Sequence, residues 1–442
     1  MRHSLFIFVV LFFTVLSAAG RTGEKSDAGD ESAKSISPVA VSMNDDWQFV
    51  MPLESDIGFG YLSGYGTTEV SGVFVEANLS LSPGFLFRKR LLQLALTLAY
   101  DSREALGFDL DDRHPHGGMS LRFRPDKRID MGIETDGGMR FRPGWIDLYQ
   151  PIAGANNEYT GRFRRTDRNS YGHVGGDLYF RYRFSKQYSG EMYGGHEYLN
   201  YSDDPGYDET DAPTHLVPGD RHRTRGGLQF TGVTPERFWR YSLDLRVENT
   251  QYLKSFARDA KTGYTHAAPG GPPANPKFHT VAFRARQRNS LKLIDDILQL
   301  VAVAQFTRTL DVFENYYTSN NFAGSIDVKW TPTPRLELSA GYGIAYERYT
   351  EDGYQAGESP SDNHPPLDNG DAIRDELSHD ADLRMELSVF TPNLKLFADG
   401  EVKKNMTNLP DYEPGIFPAS SIYKINWDYL NWQLLCGLAF EM

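Results

Sequence analysis

The chain has 442 residues, 40% of them hydrophobic and 24% charged, which fits a folded protein and excludes a disordered one. Its net charge of -13 argues against nucleic acid as a partner, and its single cysteine, Cys436, excludes both an internal disulfide and a thiolate metal cluster. A mean hydropathy of -0.49 excludes a bundle of membrane helices but not a transmembrane barrel, which turns half its strand residues toward water.

In chain order, the first predicted element is a secretory signal over 1–20. Met1-Arg2-His3 is a short basic start, Ser4 to Leu16 is almost wholly apolar, and Ser17-Ala18-Ala19-Gly20 supplies small residues for cleavage. Residues 21–45 are rich in Gly, Ser, Ala, Asp and Glu and read as a flexible leader. From 46 to 442 the dominant signal is alternation with period two, the mark of strands with one apolar and one polar face.

Val73, Val75, Ala77, Leu79 and Leu81 share one face, with Phe74, Glu76, Asn78 and Ser80 on the other. Leu92, Leu94, Leu96, Leu98 and Tyr100 repeat the pattern. So do Met119, Leu121 and Phe123, then Leu178, Phe180, Tyr182 and Phe184. Tyr241, Leu243, Leu245 and Val247 follow, and later Leu383, Met385, Leu387 and Val389. The segments are long enough to cross a hydrocarbon layer at barrel tilt. The alternation blurs over 46–68 and 291–317.

Short turns are predicted at Ser82-Pro83-Gly84, Arg124-Pro125-Asp126, Ser185-Lys186-Gln187, Thr234-Pro235-Glu236, Thr331-Pro332-Thr333-Pro334 and Thr391-Pro392-Asn393. Longer polar stretches lie between them, near 103–116, 143–169, 202–221, 255–276, 351–378 and 404–420. Short turns on one rim and long loops on the other predict a closed, antiparallel, up-and-down transmembrane β-barrel of about sixteen strands (roughly 14–18).

The last strand carries an alternating apolar series of Trp432, Leu434, Cys436, Leu438 and Phe440, with Met442 in the terminal apolar position. In this, and in its signal and strand pattern, the chain resembles the porin-like bacterial outer-membrane β-barrel class. That class usually ends on Phe or Trp, where this chain has Phe440-Glu441-Met442. The resemblance implies an integral outer-membrane protein and contact with lipid and lipopolysaccharide. It also implies an assembly signal in Trp432, Leu434, Leu438, Phe440 and Met442, read by the barrel-assembly machinery.

With the apolar set facing lipid, the other set lines the lumen. Through the first two-thirds it is rich in arginine: Arg122, Arg124, Arg140, Arg142, Arg181, Arg183, Arg225, Arg246, Arg284, Arg286 and Arg288. In the last third it turns acidic, with Asp327, Glu337, Glu347, Asp382, Glu386, Asp399 and Glu401. Two such walls would set a transverse field across a water-filled pore. The alternative is that the charges pair across neighbouring strands into a network that rigidifies the lumen. Trp239, Trp330, Tyr346, Tyr349, Trp427 and Trp432 are candidates for interfacial aromatic girdles.

In the polar stretches, Asp109, Asp111, Asp112, His114 and His116 cluster as a loop that could hold a divalent metal. Asp203, Asp204, Asp208, Glu209 and Asp211 form an oxygen-rich run suited to weak calcium binding, and Asp368-Asn369-Gly370-Asp371 is similar. No catalytic motif is present: there is no G-x-S-x-G, no H-E-x-x-H, no phosphate loop and no haem-attachment motif, so the chain reads as a non-enzyme without a cofactor. The leading functional expectation is a passive channel for small hydrophilic solutes or ions. A second is the barrel of an envelope complex, either an exopolysaccharide port or a sheath for a periplasmic electron carrier. A third is an outer-membrane hydrolase.

Overall fold

A computed structural model describes residues 39–42, 46–65, 68–88, 91–106, 112–141, 144–151, 159–166, 170–201, 220–256, 276–295, 297–313, 317–350, 375–407 and 429–441. Its regular elements are strands. They are β1 (Val39–Ser42), β2 (Trp47–Met51), β3 (Leu53–Tyr65), β4 (Thr68–Leu81), β5 (Gly84–Phe87), β6 (Leu92–Leu106) and β7 (Asp112–Phe123). Next come β8 (Ile129–Arg140), β9 (Gly144–Pro151), β10 (Tyr159–Thr166), β11 (Tyr171–Arg183), β12 (Tyr188–Tyr201), β13 (Arg221–Val233) and β14 (Trp239–Phe256). The last are β15 (Lys277–Ile294), β16 (Leu298–Asp311), β17 (Ser319–Thr333), β18 (Leu336–Tyr349), β19 (Asp375–Ser388), β20 (Leu394–Thr407) and β21 (Tyr429–Glu441).

β3, β4, β6–β8 and β11–β21 each pair antiparallel with the next, and β21 returns to pair with β3, closing a barrel of 16 strands. Followed once around, the register returns to β3 displaced by about 20 residues, the stagger that closing a tilted sheet requires. With ordinary strand spacing this corresponds to a tilt of roughly 40° and a cylinder roughly 30 Å across between backbones. β9 and β10 form a separate hairpin.

Two connections differ from the sequence expectation. Ser82-Pro83-Gly84 is not a turn: β4 and β5 run on along β6, with Leu81 opposite Leu98 and then Gly84 opposite Ala95. Pro83 has no N–H to give the ladder, but its carbonyl accepts from the Leu96 N–H at 2.9 Å, so the strand direction survives the proline. The chain turns instead after Phe87, where Arg88 takes a positive φ of 44°.

The stretch 103–116 is not a loop throughout. β6 continues to Leu106 and β7 starts at Asp112, which places His114 and His116 in a strand. Pro115 within β7 is tolerated because the β7–β8 ladder stops at His116 opposite Gly138, with only an isolated Arg113–Phe141 bridge beyond it. Where the alternation blurred, β15 and β16 are joined by residues 295–297 and β16 and β17 by 312–318. The sheet also begins earlier than residue 46, since β1 pairs with β2 from within the expected leader. The rest of 1–45, apart from β1, lies outside the described residues.

The outer face carries the large exposed apolar side chains, among them Leu98, Val174, Leu178, Met192, Leu228, Phe283, Ile326, Leu383 and Leu434. Cys436 belongs to this face as well. A surface this apolar on a closed cylinder is matched to lipid, because a closed sheet leaves no backbone group unpaired in hydrocarbon. Trp239 and Trp330 stand exposed near the turn rim, while Trp432 lies against Tyr61, ring centroids 5.4 Å apart and tilted, near the loop rim. They fit the expected girdles at two levels; Trp427 lies outside the described residues.

A small apolar core sits inside the barrel at the closing seam. Phe74, Leu62 and Phe397 are 0%, 3% and 5% exposed. They pack where Gly58, Gly60 and Gly437 pave the inner wall of β3 and β21: an added Cβ at Gly58 would meet Leu435 and Phe397, and one at Gly60 would strike the Phe74 ring. Arg103 lies over Phe74 at 4.8 Å and Arg384 over Phe397 at 5.1 Å, so guanidinium groups cap the rings on the water side.

Candidate pore lining

Alternation places two sets of side chains on opposite faces, and long-range contacts identify the concave one. Arg103 on β6 donates from Nη1 to Gln433 Oε1 on β21 at 3.3 Å, although β4 and β3 lie between those strands. Side chains so far apart around the sheet meet only on its inner side. The same alternation carries the described arginines of the expected basic set inward, opposite the exposed Leu121, Phe123, Ile133, Met139, Leu178, Phe180, Leu245, Val247 and Phe283. Arg142 lies outside the described residues.

Many of these arginines are neutralised by a neighbour. Arg122 and Arg124 share Asp130, the latter at 3.1 Å. Arg140 grips Asp112 through Nε at 2.9 Å and Nη2 at 2.6 Å. Arg181 pairs with Glu191 at 2.5 Å and Arg225 with Asp177. Arg223, outside the expected set, bridges Glu197 at 3.1 Å and Glu248 at 3.3 Å. Arg183 stands at the turn end of β11, exposed.

Arg246, Arg284, Arg286 and Arg288 differ. Among the described residues no carboxylate oxygen lies within 4.0 Å of any of them. Arg246 and Arg284 are directly opposite each other across the β14–β15 ladder, an arrangement that like charges disfavour. Both have a buried Nε without a hydrogen-bond partner. Arg246 rests 5.8 Å from the Tyr193 ring, whose hydroxyl donates to Asp244 at 2.6 Å. The result is a ladder of four guanidinium groups on one stretch of inner wall, none in an ion pair among the described residues: Asp244 stands opposite Arg286 but accepts from Tyr193, and Glu248, two residues from Arg246, is taken by Arg223.

Beside the ladder the wall is built of small or uncharged residues. A groove of about 280 Å³ runs from Arg286 past Gln305, Ala323, Ser325, Ala345 and Ser378 to Asp380. Beyond it comes the acidic wall. Asp327 and Asp382 reach over Gly341 from either side, a position where an added Cβ would lie 3.0 Å from Asp327 Oδ1 and collide with Asp382. Glu347 accepts from Ser319 Oγ at 2.6 Å.

The acidic wall is less uniform than the sequence reading had it, because four basic side chains interleave. Arg384 pairs with Glu386 at 2.8 Å and Asp399 at 3.4 Å, and Lys395 with Glu386 at 3.1 Å. Lys403 pairs with Glu401 at 2.5 Å, and on β17 Lys329 holds Glu337 at 2.5 Å. Sequence reasoning passed over Arg384, Lys395, Lys403 and Asp380, all of which stand at lumen-facing positions of strands whose alternation is plain.

His114 and His116 face inward near the loop end of β7, beside Asp101 of β6. The other candidate metal residues, Asp111, Asp203, Asp204 and Asp208, lie outside the described residues, as does Met442. In the terminal strand Trp432, Leu434 and Leu438 are exposed on the outer face, and Phe440 is half-buried opposite Leu394 and Ser55.

No protein-family model matches the chain, and no curated protein sequence does. Among solved structures, the outer membrane channel DcaP of Acinetobacter baumannii aligns over 91% of this chain and 99% of its own, at 9% identity and a TM-score of 0.46. The anion-selective porin from Comamonas acidovorans aligns over 90% of this chain and 100% of its own, at 10% identity and a TM-score of 0.43. A bacterial polysaccharide outer membrane secretin aligns over 88% and 98%, at 8% identity and a TM-score of 0.39.

Proposed function

We propose that this closed 16-strand barrel is an integral bacterial outer-membrane protein of porin-like architecture and a passive channel for small hydrophilic solutes or ions, with no catalytic role. The observation that carries this reading is the ladder of Arg246, Arg284, Arg286 and Arg288, none of them in an ion pair among the described residues, beside a wall of mostly small residues. A network serving only to rigidify the lumen would pair these cations, as it pairs Arg122 with Asp130 and Arg225 with Asp177. With Asp244 engaged by Tyr193 and Glu248 by Arg223, these adjacent guanidinium groups would draw on water and mobile anions, which is the condition of a wetted path.

The field across that path runs from the arginine ladder to Asp327, Asp380 and Asp382, with the small-residue wall between. Anionic groups on a passing solute are drawn along β14 and β15, while cationic groups are drawn toward β17–β19. Single-channel recording of the refolded full chain in a planar bilayer tests the proposal. Steady conductance steps are expected, with a reversal potential in a salt gradient that moves toward cation preference in the Arg284→Glu, Arg286→Glu double variant. A well-folded barrel that passes no current overturns the channel reading and directs attention to a partner or an occupant of the lumen.

A further inference from the structure

We propose that the inner wall near the loop rim binds a divalent transition-metal cation, zinc being the best match, through Asp101, His114 and His116, with His173 packed beside them. The register assembles the group from three strands. Asp101 on β6 is directly opposite His114 on β7, and His116 is two residues along on the same face. The next two strands continue the row, with Gly138 of β8 opposite His116 and His173 of β11 opposite Gly138.

The geometry is that of a ligand set at rest. Nδ1 of His114 and Nδ1 of His116 each lie 3.7 Å from Asp101 Oδ2. One ligand atom from each of these three residues falls within 4.8 Å of the others. Ligands around zinc at about 2.0–2.1 Å stand about 3.4 Å apart in a tetrahedron, so side-chain rotations of about an ångström close the site. The rings of His114 and His116 are stacked at 4.4 Å.

A second, independent observation points the same way. His173 packs its ring 5.4 Å from that of His114, and its side chain is only 10% exposed. Its Nε2 is held by Asp136 at 3.3 Å, while its Nδ1 is buried without a partner, as is His114 Nε2. An imidazole fixed by a carboxylate on one nitrogen and free on the other is how proteins orient metal-ligating histidines. A buried unpaired ring nitrogen is otherwise costly, and one on each of His173 and His114 leaves the cluster with nitrogen atoms that no described protein group uses.

Gly138 makes the approach possible: an added Cβ there would stand 2.6 Å from His116 Cβ and 2.7 Å from the Pro115 carbonyl. The neighbouring cation does not compete, because Arg140 is engaged by Asp112. Asp101 is about half exposed, which leaves an entry path from the lumen. Two or three nitrogens with one carboxylate oxygen and no sulfur suit zinc, with copper and nickel as competitors, and do not suit calcium or magnesium.

The site is tested on the refolded full chain without an affinity tag, stripped with chelator and titrated with zinc chloride by calorimetry. Saturable binding of a single zinc per barrel is expected. His114→Ala and His116→Ala each weaken it by more than about 10-fold, and His173→Ala weakens it as well. His196→Ala is the control: it breaks an exposed histidine pair, His196 with His222 at 3.2 Å, and leaves the affinity unchanged. Heat-modifiable gel mobility verifies that each variant is folded. No saturable zinc binding by the folded parent, or binding that His114→Ala and His116→Ala leave intact, overturns the proposal. Calorimetry does not depend on current through the pore, so this result stands apart from that of the conductance experiment.

Discussion

The closing seam offers the sharpest energetic test. Barrel closure joins the first and last barrel strands, β3 and β21, and the inner side of that joint is the packed core around Phe74. Phe74 is fully buried, Gly60 abuts its ring, and Arg103 covers it while held by Glu76 at 2.6 Å. Replacing a buried phenylalanine by alanine costs about 3–5 kcal/mol when the void cannot collapse. Here the cap of Arg103 also loses its aromatic partner, while lumen water can enter the void. An effect near 3 kcal/mol is therefore expected for Phe74→Ala. Gly60→Ala acts from the opposite direction: its Cβ would lie 2.5 Å from the Leu434 carbonyl and overlap the Phe74 ring, an overpacking worth about 1–3 kcal/mol. Combining Gly60→Ala with Phe74→Leu should recover part of that loss, because the smaller side chain vacates the contested space. Equilibrium urea unfolding in lipid vesicles, followed by tryptophan fluorescence and gel mobility, reads all three. A cost below about 1 kcal/mol for Phe74→Ala would refute the idea that this core secures the seam.

Leu98→Arg places a charge at the middle of β6 on the outer face, where Leu98 is 62% exposed; it should destabilise the lipid-embedded barrel by about 2–4 kcal/mol, and a neutral outcome would show that this face does not meet lipid. Asp130→Ala leaves Arg122 and Arg124 without their shared carboxylate, so stability should fall by about 1–3 kcal/mol. The same variant should shift reversal potential toward anions, and a shift toward cations contradicts the placement of that cluster on the conduction path. Phe440→Ser should slow appearance of the heat-modifiable form in cells while barely altering equilibrium unfolding; equal losses in both would assign Phe440 to stability and not to an assembly signal.

What could be read from the sequence was whatever depends on the local geometry of an extended chain. Successive side chains point to opposite faces of a strand, so the period-two series Leu92 to Tyr100 and Leu383 to Val389 declare strands, and the charged set between them falls inward with no knowledge of partners. The strand number, about sixteen, followed from the same series and the alternating lengths of the connections, and the barrel has 16. Pro83 misled because a proline interrupts a ladder bond whether or not the chain turns, and only the continued pairing of Gly84 with Ala95 separates the two cases.

Register was beyond local reading. Arg225 finds Asp177 from 48 residues away, and Arg103 finds Gln433 from 330. The chain's order of residues says nothing of which strand will stand beside which at what offset. For that reason the sequence left open whether a basic wall faces an acidic one or the charges pair across neighbouring strands, whereas the tertiary structure neutralises Arg122, Arg140, Arg181 and Arg225 locally and leaves Arg246, Arg284, Arg286 and Arg288 without an ion pair among the described residues. The histidines show the same division. His114 and His116 were visible as a pair, but Asp101 and His173 join them only because three ladders, one of them passing Gly138, bring four strands into one row. Side-chain alternation is a property of each strand alone, while charge compensation and ligand sets are properties of pairing, which only the closed barrel decides.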